Sequence, residues 1–280
     1  MPVNVLYCEG NSKSIDVRAI RQLLPKCELR PIGGKTSKFM ESIIADRAIN
    51  QNLAGLVDRD FDCRDFTCTN QPIPCVYENI QVGWSWERKE IENYLIDPQV
   101  VRRALRSKAL RMDEYQAALR KASEDISTYT AARTALSCYG FKNFWGEQVG
   151  NTSYYFPSSR SLGKKACQDH IRNIVQQFKG DRIVTPEDVL NKFERLLPLF
   201  STGGVRFENE NFLTFFAGKD LLYIMRNSLR EFGFETSNSQ TSPQEVFLER
   251  VIKGMERAEE VWTWLPEWQE LRNLIINSSF

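Results

Sequence analysis

The chain has 280 residues, of which 42% are hydrophobic and 26% are charged, and its net charge is only +1. This composition is typical of a globular protein and excludes a disordered or fibrous chain. No uninterrupted apolar stretch approaches the roughly 20 residues that cross a bilayer, so we expect a cytoplasmic protein with no membrane partner. Seven scattered cysteines without a C-x-x-C pair, together with a single histidine, argue against a structural zinc site and against histidine-based catalysis.

Strands and helices alternate in the first third of the chain. Short apolar runs predict strands, and amphipathic runs between them predict helices. The predicted strands are 3–10, 27–32, 53–57 and 73–77, and the predicted helices are 15–24, 37–50 and a third that begins near 87. Successive βα units form parallel sheets with right-handed crossovers. We therefore predict an α/β fold with a parallel four-stranded sheet flanked by helices, followed by a mainly α-helical accessory and C-terminal region.

Acidic residues follow the ends of two predicted strands. Glu9 ends the first strand, and Asp58, Asp60 and Asp62 follow the third. The carboxyl ends of parallel strands meet at one edge of a sheet, with neighbouring strands about 4.8 Å apart, so we expect these acids to be neighbours. Crowded carboxylates need a compensating cation, and their oxygens suit Mg²⁺ or Mn²⁺. The alternative is a polar turn after the third strand, since aspartate is common in turns.

Five short motifs occur in an informative order. They are Glu9-Gly10, Gly33-Gly34, Asp58-x-Asp60, Ile91–Leu95 and Gly218–Leu222. The first four resemble the Toprim domain. With the fifth, the set more particularly resembles the Toprim nucleases similar to the OLD (overcoming lysogenization defect) proteins of bacterial phage defence. The resemblance covers about residues 3–97 and then 215–225.

The resemblance implies a nuclease that depends on Mg²⁺ (or Mn²⁺) and cleaves phosphodiester bonds. By its pattern, the metal-binding carboxylates would be Glu9, Asp58, Asp60 and Glu92, and Lys219 would approach the scissile phosphate. Metal ions neutralise the phosphate and activate water, while a lysine offsets charge that develops in the transition state. Glu9 has a second role in this interpretation, as a general acid or base.

Three further acids are candidates for supporting roles. Asp16 stands six residues after Gly10, which departs from the usual Toprim spacing and leaves its role open. Asp62 either binds a second ion or caps the loop after the third strand. Glu90 and Glu92 are two residues apart and therefore do not share a helical face, so we expect only one of them to be a metal ligand. If the motif is displaced, the ligand is Glu90 in place of Glu92.

Positive charge is concentrated in the middle of the chain. Residues 101–182 carry 15 basic and 7 acidic side chains, whereas 1–100 carry 12 and 14, and 183–280 carry 10 and 15. A helix predicted from residue 100 has an almost entirely basic polar face. Its basic residues are Arg102, Arg103, Arg106, Lys108 and Arg111. Such a face binds nucleic-acid phosphates, and the alternatives are a solvated helix face or a surface for an acidic partner.

Motifs and charge divide the chain into three regions. We predict a Toprim catalytic domain at 1–97, a basic helical accessory region at 98–210, and a C-terminal helical region at 211–280 that carries Lys219. A tryptophan-rich segment at 262–268 either packs on the body of the chain or forms a homodimer interface.

An ATPase motif is missing from the sequence. The segment Gly33-Gly34-Lys35-Thr36 lacks the earlier glycine of a P-loop, because Leu29 stands at that position. Among the OLD-like Toprim nucleases that this sequence resembles, a Toprim chain without its own ATPase is typically paired with a separate ABC-type ATPase. PARIS phage-defence effectors have this arrangement, with a Toprim toxin that cleaves tRNA. The resemblance therefore implies an ATPase partner and a toxic antiphage effector, and it leaves open whether the substrate is DNA or tRNA.

Two other functions fit parts of the sequence. A haloacid-dehalogenase-like phosphatase would use Asp58 and Asp60 as nucleophile and acid, but it would leave Glu9 unused and would normally carry this pair on its first strand. A Toprim-like interaction module would bind nucleic acid or an ATPase without cleaving either.

Overall fold

A computed structural model describes residues 3–32, 37–61, 67–106, 110–141, 162–178, 183–235 and 241–278. Asp62, a predicted supporting residue of the metal site, lies outside these ranges, and so does Lys108 of the predicted nucleic-acid surface. The Gly33-Gly34 motif also lies outside them.

The first 85 residues build a sheet and two helices. In chain order the elements are β1 (Val5–Glu9), α1 (Ile15–Leu23), β2 (Glu28–Ile32), α2 (Ser37–Arg47), β3 (Leu53–Val57), β4 (Ile73–Tyr77) and β5 (Ile80–Ser85). β3 is buried along its whole length because it lies in the middle of the sheet. Ser14 caps α1 by accepting a hydrogen bond from the N–H of Val17 at 3.3 Å.

The sheet is five-stranded and mixed, with the strand order β2-β1-β3-β5-β4. β1 pairs in parallel with β2 and β3, and β3 pairs in parallel with β5. β4 is antiparallel to β5 and forms the edge. The prediction of a parallel four-stranded sheet is therefore corrected in two respects. The segment 73–77 is an antiparallel edge strand, and β5 was missed.

A tight hairpin explains why β4 runs antiparallel to β5. Only Glu78 and Asn79 separate β4 from β5, and both have positive φ, at 49° and 63°. Two-residue loops with positive φ at both positions join antiparallel strands, whereas a parallel pair needs a crossover of about a dozen residues or more. The loop length thus determines the direction of β4.

A helical region follows the sheet. Its helices are α3 (Ile91–Leu95), α4 (Pro98–Leu105), α5 (Met112–Cys138), α6 (Lys164–Gln177), α7 (Pro186–Phe200), α8 (Phe212–Phe215), α9 (Gly218–Ile224), α10 (Arg226–Glu231), α11 (Pro243–Glu256) and α12 (Pro266–Asn277). α4, α7 and α11 each begin with a proline preceded by a capping side chain, from Asp97, Thr185 and Ser242. In the part of the chain that the structure describes, no helix is long and apolar enough to cross a bilayer.

Two hydrophobic clusters cover the two faces of the sheet. Val5 and Tyr7 of β1 face one cluster, which includes residues of α2. Leu6 and Cys8, the alternate residues of β1, face the other cluster, which extends through α1 and the helical region as far as α12. This alternation is the period-two pattern of a strand buried on both faces. Residues from all three predicted regions contribute to the larger core.

The tryptophan-rich segment packs on the body of the chain, which is one of its two predicted positions. Trp268 is completely buried and Trp264 is 6% exposed. Between them, the buried Glu267 accepts hydrogen bonds from the Tyr94 hydroxyl at 2.5 Å and from the N–H of Glu87 at 2.7 Å. A homodimer interface stays a prediction.

Candidate functional site

The candidate site begins at the carboxyl ends of β1 and β3. Glu9 is the last residue of β1, and Asp58 follows β3 directly. The two strands pair in parallel with Cys8 opposite Leu56, so both acids reach the same edge of the sheet. The N–H of Asp58 donates to Oε1 of Glu9 at 3.1 Å. The predicted proximity of these two acids is present in the structure.

The start of α3 adds two acids to this edge. Glu90 is the N-cap residue, with an extended backbone, and Glu92 lies in the first turn with 5% exposure. Oε2 of Glu90 lies 3.0 Å from Nζ of Lys219, and Oε2 of Glu92 lies 3.4 Å from the same atom. Because Glu90 stands just outside the helix, helical spacing does not keep the two carboxylates apart. The structure brings both glutamates to the site, and the metal ligand among them stays a prediction.

Gly218 allows α9 to bring Lys219 against α3. A Cβ atom at position 218 would lie 2.6 Å from the backbone N of Asn93 and 2.8 Å from the carbonyl C of Glu92. Real Cβ atoms do not approach other atoms this closely, so the contact requires glycine. The next residue, Lys219, is thereby placed beside the acids of α3. This gives a physical reason for the Gly-Lys pair in the motif.

The side-chain amide of Asn93, a residue of α3, holds the segment that leads into Gly218. Its Nδ2 donates to the carbonyls of Leu213 and Phe216, both at 2.8 Å, and its Oδ1 accepts from the N–H of Gly218 at 3.1 Å. Asn93 is completely buried, so loss of its amide would leave several buried backbone groups unpaired. Asn93 belongs to the Ile91–Leu95 motif, but the motif alone does not indicate what this side chain does. The structure identifies it as a positioning residue for Lys219.

Asp16 joins the site from the first turn of α1. Gly10 turns the chain after β1 with φ 99°, and a Cβ atom there would lie 3.7 Å from Oδ2 of Asp16. Burial raises the pKa of Asp16, and the charges of Lys219 and Glu90 also act on it. The unusual spacing from Gly10 therefore does not remove Asp16 from the site. We call the following set the acidic cluster: Glu9, Asp16, Asp58, Glu90, Glu92 and Lys219.

Burial and mutual repulsion dominate the electrostatics of the acidic cluster. Burial, followed by the charge of Glu9, raises the pKa of Asp58 well above its ordinary value. Burial, followed by the charge of Glu90, raises the pKa of Glu92 to about 8. Although burial opposes the charged form of Lys219, the carboxylates of Glu90 and Glu92 raise its pKa. Among the described residues, the ammonium of Lys219 faces several of these carboxyls. Burial opposes the charged form of Glu90, but the charges of Lys219 and Arg133 lower its pKa.

The donor atoms of the acidic cluster suit a divalent cation. Its acidic side chains offer only carboxylate oxygens, which Mg²⁺ and Mn²⁺ prefer. Oε2 of Glu92 is buried and has no hydrogen-bond partner beyond its 3.4 Å ion pair with Nζ of Lys219, so a bound ion would add a second counter-charge there. Within the described ranges, no three His, Cys, Asp or Glu side chains converge closely enough to hold an ion. The donor chemistry fits a divalent cation, but the carboxylates of the described residues are too far apart in this arrangement to hold one together.

Asp60 has different surroundings from Asp58. Its side chain is exposed and its backbone is left-handed, with φ 59°. Its carbonyl accepts a hydrogen bond from Nζ of Lys89 at 3.0 Å. Among the described residues, no hydrogen bond or ion pair joins its carboxylate to the acidic cluster. The left-handed turn directly after β3 separates these two acids, and a metal-binding role for Asp60 stays a prediction.

An ion pair that sequence analysis missed lies beside the acidic cluster. Nη1 of Arg133 lies 2.8 Å from Oδ2 of Asp220, and the guanidinium lies 4.0 Å from the ring centre of Phe61. Burial raises the pKa of Asp220 to about 6, and the charge of Arg133 acts in the opposite direction. The position of Asp220 next to Lys219 was a usable sequence signal. Arg133 had no such sequence signal, because it lies 87 residues from its partner Asp220.

The predicted nucleic-acid surface does not form one helical face. Arg106 has φ 52° and ψ −128°, so it has left the helix, and α4 and α5 are separate. Arg102 and Arg103 are exposed in the last turn of α4. Arg111 is the residue before α5, where its side chain makes no capping hydrogen bond, and it pairs with Glu114. The prediction of a continuous basic helix was wrong, because a propensity pattern does not show where a left-handed residue ends the helix.

The amino-acid sequence matches no model of a known protein family, and it matches no curated protein. The functional interpretation therefore depends on the geometry of the acidic cluster and on the order of the sequence motifs.

Proposed function

We propose that the protein is a metal-dependent nuclease that cleaves phosphodiester bonds in nucleic acid. The observation that carries the proposal is the crowding of acids around Lys219 at the carboxyl edge of parallel strands. Burying like charges together is costly, and such crowding is characteristic of sites that bind a cation. The sheet order and the order of the motifs are compatible with a Toprim-like fold, which supports the resemblance.

The residues of the proposed active site bind the metal ion, contact the phosphate or transfer a proton. Glu9, Asp58 and Glu92 would hold Mg²⁺ or Mn²⁺, and when bound the ion neutralises the scissile phosphate and activates water. Lys219 contacts a phosphate oxygen, while Glu90 orients this lysine by accepting from its N–H at 2.7 Å and from its Nζ at 3.0 Å. The N–H of Asp58 orients the carboxyl of Glu9, which serves as a general acid or base.

The proposed substrate is DNA or tRNA, and the proposed regulator is a separate ABC-type ATPase. The exposed Arg102 and Arg103 supply contacts to phosphates that do not depend on sequence. The motif resemblance supports a role as the toxic effector of an antiphage system. Under this proposal, the ATPase restrains or releases the nuclease.

Cleavage assays test the proposal directly. Purified protein is incubated with labelled DNA and tRNA, alone and with the product of any neighbouring gene that encodes an ABC-type ATPase, in Mg²⁺, Mn²⁺ or a chelator. We expect cleavage only with metal, and a loss of roughly 100-fold or more in Glu9→Gln and Asp58→Asn. Glu187→Gln is the matched control, because Glu187 is an exposed acid in the first turn of α7.

Two results would contradict the nuclease proposal. One is the absence of cleavage under every condition, and the other is full activity in Glu9→Gln. Binding of nucleic acid without cleavage would favour the interaction module. A specific observation favours that second function: the ammonium of Lys219 already lies within 3.4 Å of Glu92 and 3.0 Å of Glu90. In an interaction module, this lysine would be the permanent counter-ion of the acids.

A further inference from the structure

A concave pocket lies outside the acidic cluster. Its volume is about 610 Å³, and it is lined by the end of α4, by the segment after α10, and by α11. Its charged lining residues are all cationic: Arg106, Arg250, Lys253 and Arg257. Phe232 and Phe234 provide its aromatic walls. We call these six residues the basic pocket, and none of them belongs to the acidic cluster.

The basic pocket forms because α11 touches the backbone of α4. A Cβ atom at Gly254 would lie 2.7 Å from the carbonyl C of Ala104 and closer still to its oxygen, so glycine is required. Arg250, Lys253 and Arg257 are spaced by three and four residues, which places them on one face of α11 beside this contact. Three cations of one helix thereby converge on the end of another.

Arg106 enters the basic pocket with a strained backbone. Its φ of 52° and ψ of −128° lie in a region that favours glycine. A non-glycine residue held in such a region costs of order 1–3 kcal/mol, and such residues cluster at ligand-binding sites. Glycine at position 106 would relieve the strain but would remove a guanidinium from the pocket.

The positive charge of the basic pocket is only partly compensated. Lys253 pairs with Glu249 at 3.2 Å. Among the described residues, Arg106, Arg250 and Arg257 have no carboxylate partner. The carbonyl ends of α4 and α11 each contribute a charge of about −0.5, so roughly two positive charges remain. An anion of about that charge would be stabilised there.

We propose that the basic pocket binds a nucleoside phosphate. Guanidinium groups bind phosphate oxygens in a bidentate manner, and three of the four cations are arginines. The pocket volume falls within the roughly 300–1,000 Å³ of small-molecule sites. Phe232 is half-buried and offers a flat apolar wall for the base, while Phe234 is 2% exposed and supports Arg250, whose guanidinium lies 5.0 Å from its ring centre.

Isothermal titration calorimetry on the full chain tests the assignment. The probes are AMP, ADP, ATP, inorganic phosphate, adenosine and a 12-nucleotide DNA strand. Binding of at least one adenine nucleotide without binding of adenosine supports the proposal. The double variant Arg250→Ala/Arg257→Ala is expected to weaken that binding at least about tenfold. Arg195→Ala, an exposed arginine on α7, is the matched control and is expected to bind as the unaltered protein does.

Arg106→Gly separates a binding role from a structural one. We expect this variant to unfold at the same or a higher temperature, since glycine relieves the strained backbone, and to bind the nucleotide more weakly. Three results would overturn the proposal: no nucleotide binds at about 1 mM, the arginine variants bind normally, or only the DNA strand binds. The last result would make the pocket part of a nucleic-acid surface. None of these measurements depends on cleavage activity, so they are independent of the nuclease proposal.

Discussion

The acidic cluster and the basic pocket each bring together several side chains of the same charge, but the two regions differ in burial and in their counter-charges. In the acidic cluster Glu92 is buried and the other charged side chains are half-buried, and the ammonium of Lys219 lies beside Glu90 and Glu92. In the basic pocket the cations are exposed at the rim, and only Lys253 has a carboxylate partner among the described residues. Burial raises the pKa values of Asp58 and Glu92 in the first group, whereas the cations of the second group are exposed to solvent, where they can meet the anion that we propose.

Each region depends on one glycine at a helix contact. Gly218 brings α9 to α3, and Gly254 brings α11 to α4. In both places an added methyl group would meet backbone atoms, which cannot move aside as a flexible side chain can. The two glycines therefore offer a way to disturb one region without the other.

The largest expected effect comes from replacing these glycines one at a time. We expect Gly218→Ala to reduce cleavage at least about 100-fold and to cost about 1–3 kcal/mol of stability, because Lys219 is displaced from the acids. Nucleotide binding should be retained. Gly254→Ala should give the reverse pattern, with nucleotide binding weakened about tenfold or more and cleavage nearly unchanged. Cleavage assays, calorimetry and urea unfolding measure the three quantities.

Loss of both activities in both variants would show that the two regions are not independent. Normal cleavage by Gly218→Ala would show that the close approach of α9 to α3 is not needed for the reaction.

A comparable loss of stability is expected from Lys219→Met, which removes the ammonium beside Glu90 and Glu92. Breaking a fully buried ion pair costs about 3–5 kcal/mol, but the side chain of Lys219 is 34% exposed, so we expect about 1–3 kcal/mol. Lys253→Met is the matched control in the basic pocket. Its ion pair is exposed, and its loss should change stability by less than about 1 kcal/mol.

The effect of Lys219→Met should depend on pH through Glu92. The pKa of Glu92 is about 8 in the folded protein, compared with an ordinary value of 4.5. Between these values the folded state binds more protons than the unfolded state, so stability falls as pH rises from about 4.5 to 8. Lys219 lowers the pKa of Glu92, so in Lys219→Met this fall should continue to a higher pH. Urea unfolding at pH 6.5, 8 and 9 measures it, and a fall that ends at the same pH in both proteins would contradict the assigned role of the lysine.

The smallest effect on stability is expected from Arg102→Ala/Arg103→Ala on the exposed face of α4. Because both side chains are exposed, we expect a change within about 0.5 kcal/mol. If these arginines contact substrate phosphates, nucleic-acid affinity should fall and its salt dependence should decrease by about one unit of slope per contact. Binding titrations at several salt concentrations test this, and unchanged slopes would assign the two residues to a solvated surface.

Much of the sheet and part of the acidic cluster follow from local sequence patterns. Apolar runs predicted the strands β1, β2 and β3, and the predicted parallel pairing placed Glu9 and Asp58 at one edge of the sheet. The direction of β4 was missed because it depends on the two-residue turn Glu78-Asn79, which was not recognised. The separation of Asp58 from Asp60 was missed for a similar reason, since φ 59° at Asp60 is a backbone property that the acidic pattern does not contain.

The sequence by itself determined that Glu9 and Asp58 reach one edge of the sheet, because strand periodicity is local and successive βα units pair in parallel. Only the tertiary structure decided where Lys219 lies, since Gly218 and Asn93 meet across 125 residues. It also decided that Arg106, Phe232 and Arg257 line one pocket. Such contacts depend on helix packing, in which a missing Cβ atom or a single buried amide selects one arrangement, and no periodic pattern in the sequence encodes that choice.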